Sequence, residues 1–474
     1  MSSSLEEVCS EVLKRVTPTA TERKQVLSLA KKLVEKVREE AKEKGVETEV
    51  RVEGSVAKNT WLRDCPEIDV FMRFPTSMPR EAFGTVCLEI AKEATEGYRQ
   101  IERFAEHPYL EAITDDGVYV NIVPCYRVKR GEWISATDRT PFHTDYVKPL
   151  LDEQKGGEVR LLKRFMKGVG VYGAEIKVGG FSGYLCELLI LNYGSFIKVL
   201  RAAADWKEKP VIDYERQYER KDDAKKLFEE PFIMVDPVDK KRNVAAAVRK
   251  ERLDEFIAAS RAFLKTPDLK FFYPPHIEAL EPAELVNKIN ARGSAIVFIS
   301  FEACPAVPDV LWGQLYRSHR ALRKLIRQHD FTVLRDTVWS NEKNRNIFIF
   351  EVENRFLPNM KRHLGPPLRK RGECENFLHK HAGAESTVSG PRIEGGRWVV
   401  DVQRKYTDVV KLLNEKLRNS GESIGLAEFV SRAVADSLEV LVNDEALKRY
   451  SVNPEFAKFV TEYLDGKPRW LVGV

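Results

Sequence analysis

Behind Thr19 and Glu22, which have capping-box spacing, Val26, Leu29, Ala30, Leu33 and Val37 recur at a helical period. The pattern predicts a helix that ends at Lys44-Gly45. The period then changes. Val46, Thr48, Val50 and Val52 alternate with charged residues, which predicts a strand stopped at Gly54-Ser55. Further strands are expected over 67–74, 98–104, 110–114 and 118–123, with a helix near 80–93. Such a mixture predicts an α/β or α+β domain ending near Asp145. From Glu158 to about Phe263 the pattern is mainly helical, with Arg160, Lys163, Arg164 and Lys167 on one face opposite Leu161, Leu162, Phe165 and Met166. A second α+β region follows from about Leu264. In it, Leu311, Leu315, Leu322 and Leu325 line one helix face and Arg320, Arg323, Lys324 and Arg327 another. A strand is expected over 346–353, ahead of a basic stretch from Lys361 to Arg371.

The 474 residues suffice for two to four domains, and 43% hydrophobic with 31% charged residues is a globular balance. That excludes collagen-like, disordered and disulfide-scaffold classes. The net charge of +5 is mild, but its distribution is not. The segment 311–380 alone carries +8 and the rest of the chain sums to −3, which suits an acidic partner such as nucleic acid. Seven scattered cysteines without a CxxC suggest neither zinc nor disulfides. No apolar run reaches a membrane span and the N-terminus lacks an apolar signal region, so a cytoplasmic protein without membrane contact is expected.

Gly54-Ser55, eleven intervening residues, then Glu67-Ile68-Asp69-Val70 is the densest chemistry in the chain. On a strand, Glu67 and Asp69 share one face, and two adjacent carboxylates repel unless a cation lies between them. Hard oxygen donors suit Mg²⁺, which is commonly shared with substrate phosphates. A Gly-Ser turn at the preceding strand end lets backbone N–H groups and the Ser55 hydroxyl approach phosphate oxygens.

Jointly these features resemble the DNA polymerase β-like nucleotidyltransferases. The likeness narrows with Gly-Ser-Val-Ala-Lys-Asn-Thr-Trp-Leu from Gly54, Glu-Ile-Asp-Val-Phe from Glu67 and Ala-Glu-His-Pro-Tyr from Ala105. Asn-Ile-Val-Pro-Cys-Tyr from Asn121, Asp-Arg-Thr-Pro-Phe-His from Asp138, Gly-Phe-Ser-Gly-Tyr-Leu-Cys-Glu from Gly180 and Asp-Pro-Val-Asp-Lys-Lys-Arg-Asn from Asp236 continue it. In this order the segments resemble the archaeal-type, class I CCA-adding enzymes, which are tRNA nucleotidyltransferases. The resemblance implies an α+β multidomain fold in four parts: a nucleotidyltransferase head (1–148), a mainly helical neck (149–263), a body (264–308 with 400–474) and a basic tRNA-binding tail (309–399). It implies addition of C, C and A to the tRNA 3′ end from CTP and ATP. By position, Glu67, Asp69 and residue 121 would hold Mg²⁺, and Ser55 and Lys58 would touch the triphosphate. His143, Lys163 and Tyr172 would hold phosphates and sugar, and Arg242 would sit at the base edge. Arg320, Arg323, Arg327, Arg369, Lys370 and Arg371 are expected to grip tRNA phosphates. The oligomeric state is not written in the chain, a homodimer among the options.

Two positions depart from the family pattern. Lys58 stands where Arg is frequent, giving a point charge in place of a fork. Asn121 stands where a third carboxylate is expected, and it brings one carbonyl oxygen, no charge and no useful basicity. Asp115 and Asp116 lie too far back to substitute on the same strand. Asn121 keeps open a catalytically weak tRNA-binding protein, and the same fold leaves open a poly(A)-type or other template-independent RNA nucleotidyltransferase.

Overall fold

A capping box at Ser4 and Glu7 opens α1 (Leu5–Val16), and the one at Thr19 and Glu22 opens α2 (Ala20–Glu43). The computed structural model describes residues 4–471 apart from 105, 303, 305 and 422, so Ala105 of one quoted segment lies outside the described residues. The chain divides into two compact units, 1–276 with 307–309 and 467–474, and 277–306 with 310–466.

In the first unit the alternating run becomes β1 (Glu49–Glu53), followed by a single turn, α3 (Gly54–Ala57). Then come β2 (Glu67–Phe74), α4 (Arg80–Ala94), β3 (Arg99–Phe104), β4 (Pro108–Ile113) and β5 (Tyr119–Tyr126). These strands form one sheet in the order β1-β2-β5-β4-β3, parallel only between β2 and β5. Its apolar face carries Val50, Ile68, Val70, Met72, Leu110, Ala112, Val120 and Ile122, in one core with α2 and α4. The opposite face therefore carries the odd-numbered positions of β2 and β5, Glu67, Asp69 and Asn121 among them.

The rest of this unit is helical: α5 (Thr140–Val147), α6 (Glu153–Val169), α7 (Gly183–Tyr193) and α8 (Phe196–Ala204). Short strands β6 (Val211–Ile212) and β7 (Ile233–Met234) flank α9 (Lys221–Leu227) and precede α10 (Lys250–Lys265). Phe165 of α6 centres this core, with its ring 5.5 Å from those of Phe196, Phe263 and Phe272. Two segments join this core although the resemblance assigned them elsewhere. Helix α1, expected in the head, buries Val8, Val12 and Val16 against it, and Trp470, expected in the body, stacks 5.5 Å from Phe271.

The second unit contains α11 (Pro282–Asn290), β8 (Ala295–Phe301), α12 (Pro308–Gln328) from Val310 onward, β9 (Val333–Ser340) and β10 (Asn346–Val352). It continues with β11 (Met360–Pro367), α13 (Arg371–His381), β12 (Thr387–Glu394) and β13 (Arg397–Gln403). Last come α14 (Val409–Ser420), α15 (Glu428–Ser437), β14 (Glu439–Val442), α16 (Leu447–Tyr450) and α17 (Pro454–Asp465). Strand pairing redraws the expected tail. β9 and β10 pair into the sheet β14-β8-β10-β9, and only β11-β13-β12 forms a sheet of its own. The leucine face of α12 is buried against the first of these sheets, as its spacing predicts. Among the described residues, no single helix is long and apolar enough to cross a membrane.

Candidate active site

Strand register brings three expected residues together. Asp69 on β2 lies opposite Asn121 on the parallel β5, with Glu67 two residues upstream on the same face. The Asn121 amide donates from Nδ2 to Glu67 Oε1 at 2.7 Å and to Asp69 Oδ1 at 3.0 Å. A neutral donor thus stands between the two carboxylates, and the buried Asn121 Oδ1 is left without a partner. Burial and the Glu67 charge push the Asp69 carboxyl above the usual range, against the opposing pull of Asn121, Lys58 and Lys163. Among the described residues no three His, Cys, Asp or Glu side chains converge as a metal-ion set.

Gly54 closes over this row. Its φ of +69° belongs to the left-handed region, and a Cβ there would fall 1.9 Å from Asp69 Oδ2. The Gly54 backbone thus packs directly against the Asp69 side chain, with Ser55 half-buried in the α3 turn. Beside Asp69 and Asn121 opens a cavity of about 310 Å³, also lined by Phe71, His107, Tyr109 and Thr140.

A second cluster forms around Glu187, a residue not singled out from the sequence. Its buried carboxylate accepts from Lys58 Nζ at 2.5 Å and from Thr60 Oγ1 at 2.7 Å, with Lys163 Nζ 3.7 Å away. Lys163 also donates to the Thr60 carbonyl at 3.1 Å. Burial alone would raise the Glu187 carboxyl, but the two ammonium groups outweigh it and hold it below the usual carboxylate range. Burial pulls Lys163 below the usual lysine value despite Glu187. The basic stripe of α6 is accordingly no solvated face. Arg160 is fully buried and donates to the Trp61 and Asn59 carbonyls, pinning the segment after α3. The signal in the sequence was there: Glu187 is the lone charged residue in a mainly apolar α7.

The third cluster centres on Asp236, also missed. His143 Nε2 donates to Asp236 Oδ2 at 2.9 Å, Arg242 Nη1 to the same oxygen at 2.8 Å, and the Tyr184 hydroxyl to Oδ1 at 3.2 Å. The His143 and Tyr184 rings stack 4.0 Å apart. Burial would raise the Asp236 carboxyl, but His143, Arg242 and the Val238 N–H hold it at about 2. Burial conversely lowers His143 despite its carboxylate partner. Tyr172 lies half-buried in the same unit, with the Lys167 amine 5.5 Å from its ring.

The expected tRNA-contacting residues belong to the second unit. Arg320 and Arg327 are exposed on α12, whereas Arg323 is ion-paired with Asp336. Arg369, Lys370 and Arg371 are exposed where β11 turns into α13, with Lys370 2.8 Å from Glu373.

Three family models match the chain: a nucleotidyltransferase domain over 34–143, the second domain of tRNA nucleotidyltransferase over 157–273, and the C-terminal domain of CCA-adding enzyme over 292–443. The CCA-adding enzyme of Methanosarcina barkeri is 39% identical over 92% of this chain and 94% of its own length. That of Methanosarcina acetivorans is 39% identical over 96% of this chain and 97% of its own. That of Halobacterium salinarum is 35% identical over 97% and 98%.

Proposed function

The chain belongs to the CCA-adding enzymes, and from that premise we propose that it adds C, C and A in turn to the tRNA 3′ end. CTP and ATP supply the CMP and AMP, and pyrophosphate leaves. The observation that carries the reading is the polar row of Glu67, Asp69 and Asn121 on the open face of the head sheet, under Gly54. Two carboxylates and an unpartnered buried amide oxygen are hard donors, so these residues fit Mg²⁺. When bound, the ion would supply charge neutralisation at the attacking 3′-hydroxyl and at the leaving pyrophosphate.

The remaining work falls to the protein's own groups. Lys58 and Lys163, held in place by Glu187, present positive charge to the triphosphate, with Ser55 adding a hydroxyl donor. His143 and Tyr172 hold phosphate and sugar. Arg242, braced by Asp236, faces the base edge. C and A place a ring-nitrogen acceptor where U and G place an N–H donor. A guanidinium is donor-only, so it favours the first pair. The exposed arginines of α12 and of the β11–α13 turn take RNA phosphates and leave sequence unread, as A-form geometry requires. We place the reaction in the cytoplasm, where the seven free cysteines stay reduced.

The test is incorporation of labelled CTP and ATP into tRNA ending at its discriminator base. Addition stopping after C, C and A is expected. A long homopolymer would instead indicate a poly(A)-type polymerase, and tRNA binding without addition a catalytically weak tRNA-binding protein.

A further inference from the structure

We propose that Arg139, helped by Arg130, is a positioning residue for nucleotide choice: it fixes the turn that carries Arg242, and through that turn the preference for CTP over UTP. The inference rests on the reading of Arg242 at the base edge. Residues 236–242 form a turn closed by its own backbone. The Asp239 N–H donates to the Asp236 carbonyl at 3.2 Å, the Arg242 N–H to the Asp239 carbonyl at 2.9 Å, and the Asp236 N–H to the Arg242 carbonyl at 3.1 Å. The two Asp239 carboxylate oxygens then do different things. Oδ1 accepts from the Lys241 N–H at 3.1 Å, which fixes the shape of the turn, and Oδ2 accepts from Arg139 Nε at 2.9 Å, which fixes its place. Arg130 donates to the Pro237 carbonyl at 2.9 Å and to the Val238 carbonyl at 3.3 Å. The Arg139 and Asp239 side chains are 20% and 11% exposed, so water screens this pair less than a surface pair. Arg242 is 36% exposed and braced only through Nη1, which leaves donors of its fork for a ligand.

Both arginines come from the segment between β5 and α5, the segment that also sets His143. The buried Asp138 folds it, accepting from the N–H groups of Tyr126 at 2.7 Å, Ile134 at 2.9 Å and Ser135 at 2.7 Å. The Arg139 guanidinium lies 5.3 Å from the Trp133 ring centre, and Trp133 meets Phe142, the neighbour of His143, edge-on at 5.0 Å. One braced segment thus holds His143, read as a phosphate contact, and the turn of Arg242, read as the base contact, at a set separation. A guanidinium tells a ring-nitrogen acceptor from an N–H donor only when its own N–H groups point at the base edge, because a hydrogen bond weakens steeply off line. Releasing the turn should therefore cost the correct nucleotide, while contacts to the phosphates, which every nucleotide shares, persist.

The experiment measures kcat and KM for CTP and for UTP on tRNA ending at its discriminator base, using the full chain. Arg139→Gln should lower the CTP:UTP ratio of kcat/KM by about tenfold or more. The near-isosteric Asp239→Asn should act alike, and Arg139→Lys, which keeps the charge and one donor, should keep part of the ratio. In an Arg242→Ala background Arg139→Gln should change the ratio no further, because it acts through that residue. Thermal melting of each variant identifies misfolding, and Asp239→Asn decides the matter if Arg139→Gln does not fold. A wild-type ratio in both variants would overturn the proposal. Equal losses for CTP and UTP would overturn it too, since the pair would then serve only the fold. An unchanged ratio in Arg242→Ala would remove the base-edge reading, and a wild-type chain adding no nucleotide would remove the proposed function; either takes this inference with it. A ratio relaxed in Arg242→Ala but intact in Arg139→Gln and Asp239→Asn would refute this inference alone.

Discussion

Replacing Glu187 with Gln should do more damage than any single change at an exposed charge. Its carboxylate is 1% exposed and answers two ammonium groups, Lys58 and Lys163, themselves 9% and 2% exposed. Gln keeps the shape and an acceptor for Thr60, but it leaves two buried like charges without a counter-ion. Removing one partner of a buried pair costs about 3–5 kcal/mol, where an exposed pair is worth roughly 0–1 kcal/mol. The sign of the pH dependence follows from the lysines. Lys163 already lies below its unfolded value of 10.5, and losing Glu187 lowers it further. Over the window between that lowered folded value and 10.5, the unfolded chain binds more protons than the folded one. Stability of the variant therefore rises with pH there, and the penalty at neutral pH shrinks as the solution becomes alkaline. Calorimetry of both proteins at neutral and alkaline pH reads this directly. Equal penalties at both pH values, or a loss below about 1 kcal/mol, would refute charged lysines resting on Glu187. The same variant should raise KM for CTP and ATP more than it lowers kcat, because it disorders phosphate donors and leaves the Glu67–Asp69 row in place.

Asp69→Ala should reduce nucleotide addition by orders of magnitude while tRNA binding, measured by filter retention, survives; near-full addition would remove the metal assignment. Gly54→Ala should abolish addition and cost about 1–3 kcal/mol in melting experiments, since the new Cβ meets the Asp69 carboxylate at a positive-φ position. Arg242→Ala should relax the CTP:UTP preference in competition assays, and Asp236→Asn should do so in part by releasing the guanidinium; an unchanged preference in both would make this pair structural. Alanine at Arg369, Lys370 and Arg371 together should raise KM for tRNA, leave that for CTP unchanged, and lower the salt slope of tRNA binding by about one unit per lost phosphate contact.

Local pattern was enough for the elements. The capping box at Thr19, the alternation up to Glu53, the acid-apolar order of Glu67–Val70 and the leucine spacing of α12 each act between residues close in the chain, and each forms near where its spacing says, with β1 beginning at Glu49 and not at Val46. The pair Glu67 and Asp69 was legible for the same reason, because a strand's period of two sets which side chains share a face. Partners distant in sequence were not legible. Nothing near Lys58 names Glu187, 129 residues away, and nothing near His143 names Asp236, 93 residues on. Their pairing depends on helices docking at particular angles, and burial then turns surface-looking charges into ion pairs that cannot be left unmet. Periodicity likewise marked β9 and β10 as strands without revealing that they join β8 and β14, since sheet partners are chosen by packing. Asn121 shows both sides of that division. Its identity, and the missing charge, are plain in the sequence, but only the register of β2 and β5 sets it opposite Asp69, where its amide bridges Glu67 and Asp69.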